Sequence, residues 1–273
     1  MTHPGHRVRR RYVDLPHGQV HLAEAGPGDG RPVVLLHQTP RSADEYRDVL
    51  PLLAEEGLRA VAVDTPGFGA SDPLPDPDVE SLAAAVGDAV ADLGPAVLVG
   101  HHTGGVLAVE LAATRPAQVA GLVLSSTPLV DAAFRGRPPH GVDDVEPADD
   151  GTHLTALWRG RAPLYPPGRR DLLERFVRDA LTAGLELSHE GHALVRRYVM
   201  EDRLPALAAP VLLVAAPDDP FGSPNTARMA QALPAAGLPR PEVVEIPGGT
   251  VPLPDQCPAE YAAAVARFAA GLP

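Results

Sequence analysis

The sequence contains no lysine, a single cysteine and no long apolar run. All 23 basic residues are arginines, which excludes a Schiff-base lysine and the lysine of a phosphate-binding loop. Cys257 has no partner for an internal disulfide and cannot form a cysteine-rich zinc site. The apolar stretches are far shorter than the roughly 20 residues of a membrane span. The charged start of the chain lacks the apolar core of a signal peptide, so we expect a soluble, cytoplasmic protein.

The charge balance is acidic. The 35 acidic residues outnumber the basic ones and give a net charge of −12, which disfavours nucleic acid or an anionic membrane as partner. A length of 273 residues with 45% apolar content suits one large α/β domain or two smaller ones. We therefore expect a small-molecule substrate or ligand, and the sequence leaves the oligomeric state open.

Short apolar runs alternate with helical patterns along most of the chain. The runs are rich in Val and Leu and are bounded by Gly, Pro or Asp, as is typical of buried parallel strands. This alternation predicts a doubly wound α/β sheet. The predicted strands are Val33–Leu36, Ala60–Val63, Ala96–Val99, Gly121–Leu124, Val211–Ala215 and Glu242–Ile246, preceded by a hairpin of Tyr12–Leu15 and Gln19–Ala23. The predicted helices are Ala43–Glu56, Val79–Leu93, Gly104–Arg115, Thr226–Leu233 and Pro258–Ala270.

One segment, residues 128–207, interrupts this alternation. It begins rich in Pro and Asp and continues as helical pattern, for example at Asp171–Leu181 and Gly191–Met200. We interpret it as a helical lid over the strand ends, where open α/β sheets bind ligands. The core would then comprise residues 1–127 and 208–273. An ordinary helical excursion is the alternative.

Several motifs stand in a definite order. A predicted strand runs into Gly100-His101-His102-Thr103-Gly104 and a helix follows, which is the context of a nucleophile elbow. The other motifs are LLHQTP (35–40), DTPGFGASD (64–72), VLLVAAPDDP (211–220) and IPGGTVPLPDQCP (246–258).

Together these motifs resemble the α/β-hydrolase superfamily over nearly the whole chain. The resemblance implies an oxyanion loop at 35–40, an acid-bearing strand at 211–220 and a final loop that normally carries the catalytic histidine. Here the elbow residue is His102, Val251 stands where that histidine is expected, and no histidine follows His192. The chain is similar to a subgroup with GHHTG at the elbow and no histidine in the final loop. The Ser-His-Asp relay is therefore absent.

The acid position is retained, and Asp219 matches it best. A neutral imidazole at the elbow can take or give a proton near pH 7, because the usual imidazole pKa is about 6.5. His102 and Asp219 would then form a dyad that acts as a general base without a separate nucleophile. Alternatively, His102 only fills space or hydrogen-bonds to the lid.

Backbone N–H groups of Thr39 and Thr103 are the predicted oxyanion hole. We expect the Thr103 side chain to point along the following helix. Gln38, Val251 and, from the lid, Trp158 are predicted to border the cavity. Other lid residues that could line it are His140, His153, Arg159, Arg161, Tyr165, His189 and His192. The pair His189 and His192 shares a helix face, but two ligands do not make a metal site, so we predict none.

Two function classes follow from these residues. The first is an enzyme that performs cofactor-free proton transfer on a small carbonyl compound, as a lyase, decarboxylase, isomerase or cyclase, or that activates water for hydrolysis with the same dyad. The second is a non-catalytic small-molecule-binding protein that kept the pocket and lost the relay.

Overall fold

A computed structural model describes residues 7–138 and 145–273 of the chain. Its centre is one eight-stranded sheet, and each strand predicted from an apolar run is present. The strands are β1 (Arg9–Leu15), β2 (Gly18–Ala25), β3 (Pro32–Leu36), β4 (Arg59–Val63), β5 (Ala96–His101), β6 (Val119–Ser125), β7 (Val211–Ala215) and β8 (Glu242–Glu245).

The strands lie in the order β1-β2-β4-β3-β5-β6-β7-β8. β1 pairs antiparallel with β2 and β2 antiparallel with β4, whereas all later pairs are parallel. Because parallel strands need crossover connections, helices cover both faces of this part of the sheet. The predicted doubly wound α/β architecture is confirmed, and it brings the carboxyl ends of β3, β5, β6 and β7 to one edge.

Two apolar clusters hold helices against the two faces of the sheet. One packs α2 (Val79–Ala89), α3 (Thr103–Thr114) and α8 (Ser223–Ala235), and the other packs α1 (Val49–Glu55) and α10 (Pro258–Ala270). The α-helices are α1 (Val49–Glu55), α2 (Val79–Ala89), α3 (Thr103–Thr114), α4 (Ala132–Arg135), α5 (Thr152–Arg161), α6 (Arg170–Ala183), α7 (Leu185–Arg197), α8 (Ser223–Ala235), α9 (Leu253–Gln256) and α10 (Pro258–Ala270).

The helix predicted over Ala43–Glu56 is not continuous. A short 3₁₀ turn occupies Ala43–Tyr46, and α1 begins only at Val49. The physical reason lies in two polar side chains of that turn. The Tyr46 hydroxyl donates to the Leu36 carbonyl at 2.9 Å, and the Glu45 carboxylate accepts from the backbone N–H of Gln38 at 3.0 Å. These bonds hold the turn against the end of β3.

Between β6 and β7 the described residues form helices and connecting segments. α5 and α6 share a third apolar cluster, built from Leu157, Leu172, Phe176 and their neighbours. Buried ion pairs connect α6 to the rest of the chain: Arg41 Nε lies 2.9 Å from the Asp179 carboxylate, and Arg175 Nη2 lies 2.8 Å from the Asp255 carboxylate. None of the helices in the described ranges has the length and apolar character needed to span a bilayer.

Candidate active site

The site begins with a sharp turn between β5 and α3. His102 sits at this turn with φ +47°, a conformation that non-glycine residues seldom adopt. The turn needs its flanking glycines, because a Cβ on Gly100 would lie 2.3 Å from Gly105 Cα and one on Gly104 would lie 2.1 Å from the Leu36 carbonyl oxygen. Such strain concentrates at functional sites. The chain therefore forms the elbow that the sequence predicts, with His102 in the central position.

The structure brings His102 and Asp219 together. His102 Nε2 lies 2.7 Å from Asp219 Oδ2, although the two residues are 117 positions apart. The other carboxylate oxygen, Oδ1, accepts the backbone N–H groups of Phe221 and Gly222, each at 2.9 Å. Burial alone would raise the pKa of Asp219, but the His102 ring and these N–H groups outweigh it and hold the pKa well below its usual range. Asp219 is therefore an ionised acceptor with a fixed orientation.

The neighbouring His101 points away from the cavity and joins the elbow to the final loop. Its Nε2 lies 2.8 Å from the Val251 carbonyl oxygen, and its Nδ1 lies 3.0 Å from Ser125 Oγ. Burial and the adjacent His102 lower the pKa of His101 to about 4. The ring is therefore neutral near pH 7, with Nε2–H donating and Nδ1 accepting. His101 thus makes structural hydrogen bonds.

The predicted oxyanion hole is partly occupied by a side chain. The Thr39 N–H donates to Thr103 Oγ1 at 2.7 Å, and the same hydroxyl lies 3.1 Å from Thr39 Oγ1. The expectation that the Thr103 side chain points along α3 is therefore wrong. The physical reason is that its hydroxyl satisfies a backbone donor that would otherwise be buried without a partner. An oxyanion could use the Thr39 N–H only by displacing this hydroxyl.

Gln38 and Val251 both border the cavity. The orientation of the Gln38 amide is fixed, because its Nε2 donates to the Glu45 carboxylate at 2.6 Å. Glu45 is fully buried and lies 3.7 Å from Arg41. Val251 places an apolar side chain in the wall and uses its backbone carbonyl for His101. The position that would carry the loop histidine therefore contributes shape and an anchor for the elbow.

The cavity above His102 has a volume of about 510 Å³. From the 128–207 segment it is lined by Pro128, Phe134, Arg137, Pro138, Arg161, His189, His192, Ala193, Val195, Arg196 and Arg197. Trp158 is not among the lining residues in the described part of the chain; its apolar ring packs instead, partly buried, against the α5–α6 cluster, which removes apolar surface from water. His140 lies outside the described residues. Within residues 7–138 and 145–273, no group of three or more His, Cys, Asp or Glu could hold a metal ion.

Sequence analysis missed Ser126, which follows β6. Its backbone has φ +47°, its side chain is buried, and it borders the cavity. Its hydroxyl has no hydrogen-bond partner within the described ranges. A Cβ on Gly222 would lie 2.6 Å from Ser126 Oγ and 2.5 Å from Asp219 Oδ2, so both groups face one small space. Ser126 directly follows a predicted central strand, and residues at the carboxyl ends of such strands commonly border ligand sites, so its position in the sequence could have indicated it.

Comparisons with known proteins agree with the fold. A family model described as "alpha/beta hydrolase fold" matches residues 31–253. A haloalkane dehalogenase of Mycobacterium marinum is 30% identical over 231 residues, which cover 81% of this chain and 70% of that protein. The polyketide synthase ThaQ of Burkholderia thailandensis is 29% identical over 254 residues, or 88% of this chain, and the match spans only 12% of that much longer protein.

Solved structures share the architecture over nearly the whole chain. A bromoperoxidase from Bacillus anthracis superposes with a TM-score of 0.81 at 17% identity, covering 96% of this chain and all of that one (100%). A thioesterase domain from the curacin biosynthetic pathway gives 0.69 at 17% identity, covering 95% and 99%. At these identities the similarity shows the fold alone.

Proposed function

Since this chain belongs to the α/β-hydrolase-fold family, we propose that it is an enzyme of that family that acts without a covalent serine intermediate. His102 would be the general base and acid, and Asp219 would orient it. The reaction would be cofactor-free proton transfer on a small carbonyl compound, of the lyase, decarboxylase, isomerase or cyclase type.

One observation carries this proposal: the 2.7 Å contact between His102 Nε2 and Asp219 Oδ2. Because Asp219 is ionised, its Oδ2 would accept from Nε2–H, and the neutral tautomer with that hydrogen bond has its lone pair on Nδ1. Nδ1 has no hydrogen-bond partner among residues 7–138 and 145–273. His102 borders the cavity, and 13% of its side chain is exposed. Nδ1 is thus the atom that would accept a proton from a bound substrate.

The rest of the site supplies what such a proton transfer needs. As Nδ1 takes a proton from a carbon next to a carbonyl, the ring becomes positive and the Asp219 carboxylate stabilises it. Negative charge develops on the carbonyl oxygen. Two candidate donors to it are the Thr103 N–H, at the positive end of α3, and the Ser126 hydroxyl, which has no partner among the described residues. The imidazolium can then return the proton to a different atom, which completes an isomerisation, or to the carbanion left after a bond is cleaved.

Hydrolysis by the same dyad is the second candidate. The relatives include the haloalkane dehalogenase named above, which favours chemistry with water. In this case Nδ1 would take a proton from water, and the resulting hydroxide would attack the substrate directly. No acyl–enzyme would form, since the elbow offers no hydroxyl nucleophile.

Proton exchange in D₂O, followed by NMR, tests the first candidate. The probes are a 1,3-diketone, a β-keto ester, a β-keto acid and a 2-oxo acid, each with wild type, His102→Ala and Asp219→Asn. We expect wild type to exchange or convert at least one probe about 10²–10⁴-fold faster than His102→Ala, the usual contribution of a general base. Asp219→Asn should lie between them, because it keeps the ring but loses the charge that stabilises imidazolium.

A parallel series in H₂¹⁸O separates the alternatives. An aryl ester, an epoxide and a haloalkane report hydrolysis through ¹⁸O in the product without label in the protein. If wild type and His102→Ala are equal on every carbonyl probe, the proton-transfer proposal fails. Equal rates in the hydrolytic series as well would place the protein with non-catalytic binders.

A further inference from the structure

One wall of the cavity that His102 borders carries positive charge. Four arginines line it, namely Arg137, Arg161, Arg196 and Arg197, and the lining residues of the described chain include no Asp or Glu. The sign of this local charge is opposite to that of the whole chain, whose net charge is −12. A random placement of charges would put more carboxylates than guanidinium groups around the cavity, so this wall is chemically distinct.

All four arginines belong to the 128–207 segment, whereas the elbow belongs to the sheet. Arg196 and Arg197 end α7, Arg161 ends α5, and Arg137 follows α4. Arg161 is buried, with its guanidinium carbon 4.5 Å from the centre of the Phe176 ring. Arg137 and Arg197 are exposed. The positive groups therefore include one buried and two exposed guanidinium groups, and none of them belongs to the elbow that carries His102.

Within the described residues, the charges of Arg137, Arg196 and Arg197 are poorly compensated compared with that of the neighbouring Arg135. Just outside the cavity, Arg135 is held by Glu201 through two bonds of 2.6 and 2.8 Å. By contrast, neither Arg137 nor Arg197 forms an ion pair with an acidic side chain of the described residues. Arg196 donates to the backbone carbonyls of Arg135 and Arg137, which orients the guanidinium but does not neutralise it. Positive groups gathered in this way attract an anion and raise its local concentration.

We propose that this wall is an oxyanion-binding subsite and that the natural ligand is a small molecule with a carboxylate or phosphate group at one end. Guanidinium groups bind both anions through paired, charge-assisted hydrogen bonds. The apolar wall of Phe134, Phe221 and Val251 would accommodate the carbon chain between that anion and His102. The placement of the reacting end at His102 rests on the proposed function; the anion subsite does not.

Binding of matched probes tests the subsite without any turnover. The probes are hexanoate against hexanamide, and hexyl phosphate against hexanol, followed by calorimetry at low ionic strength. The test variant is Arg137→Gln combined with Arg197→Gln. The control variant is Arg159→Gln combined with Arg170→Gln, which removes two positive charges from the same segment at exposed positions that do not line the cavity.

We expect at least one anion to bind about tenfold or more tightly than its neutral partner, as charge-assisted bonds require. The test variant should lose most of that preference and bind the neutral probe as wild type does, whereas the control variant should keep it. Preference for hexanoate over hexyl phosphate would identify a carboxylate ligand, and the reverse a phosphate. Equal binding of anion and amide or alcohol, no binding of either anion, or equal losses in test and control variants would overturn the subsite.

The same titration with His102→Ala separates the two proposals. The anion preference should survive in this variant, because the imidazole is not part of the positive wall. Survival together with a failed proton-exchange assay would refute the dyad and leave the subsite intact. Loss of the preference in the arginine variant, together with faster proton exchange by wild type than by His102→Ala, would support both.

Discussion

The buried histidine next to the elbow should make folding dependent on pH in a direction that its surroundings fix. His101 is fully buried and satisfies both ring nitrogens within the protein. Its pKa is lowered from the usual 6.5 to about 4, mainly by burial and secondarily by His102. Between these two values the unfolded chain takes up a proton that the folded chain does not. The contribution of His101 to the free energy of unfolding is therefore complete above pH 6.5 and is lost as the pH falls toward 4.

The size of the effect follows from the separation between the two pKa values. A lowering from 6.5 to about 4 corresponds to about 3 kcal/mol of unfolding free energy between pH 7 and pH 4. His101→Gln removes the titrating group, and the Gln amide can still donate toward the Val251 carbonyl. We expect this variant to be less stable than wild type at pH 7 and to lose less stability on acidification. The advantage of wild type over His101→Gln in unfolding free energy should therefore shrink as the pH falls from 7 to 4. If that advantage is below about 3 kcal/mol at pH 7, the variant should become the more stable protein at pH 4.

Urea unfolding of both proteins at pH 7, 6, 5 and 4 measures this difference. Subtracting one curve from the other cancels the contributions of the other titrating groups, including the buried carboxylates around Arg41. Equal slopes of free energy against urea in the two proteins would show that the unfolded states are comparable. A difference that stays constant from pH 7 to pH 4 would refute the reasoning, because it would mean that the His101 ring titrates equally in both states.

Three further predictions concern the elbow and its neighbour. Fluorophosphonates should not label the protein, because the elbow lacks a serine and the Thr103 hydroxyl is engaged with Thr39; a stoichiometric adduct on any cavity Ser or Thr, seen by intact mass, would contradict this. His102→Ser should not hydrolyse activated aryl esters above the wild-type and buffer rates, because His101 is the adjacent ring and both its nitrogens are committed. Turnover by that variant would reveal another base in reach. Ser126→Gly should have a free energy of unfolding in urea about 1 kcal/mol higher than that of Ser126→Ala, because both lose the hydroxyl but only glycine adopts φ +47° without strain. Equal free energies of unfolding would show that the strain is negligible.

The fold was accessible from the sequence because its signals are local. A buried parallel strand is a short Val- and Leu-rich run, and β3 to β7 each include such a run with at most three residues added at the ends. The break in the predicted helix at Tyr46 was not accessible, because it depends on bonds to the end of β3 rather than on the helical pattern itself. Local periodicity therefore determined the elements and their order, while their exact bounds followed from contacts between them.

Some features of the candidate site were also accessible from the sequence, and others required the tertiary structure. The sequence alone determined that a histidine stands at the elbow and that the relay histidine is missing, since both are statements about residues at motif positions. Only the tertiary structure decided which nitrogen of His102 meets Asp219, that Thr103 occupies the Thr39 N–H, and that Trp158 lies away from the cavity. It also gathered arginines from three helical segments onto one wall. The physical reason is that hydrogen bonds and fields act over a few ångströms in space, and residues far apart along the chain come within that range only when the sheet and its helices pack.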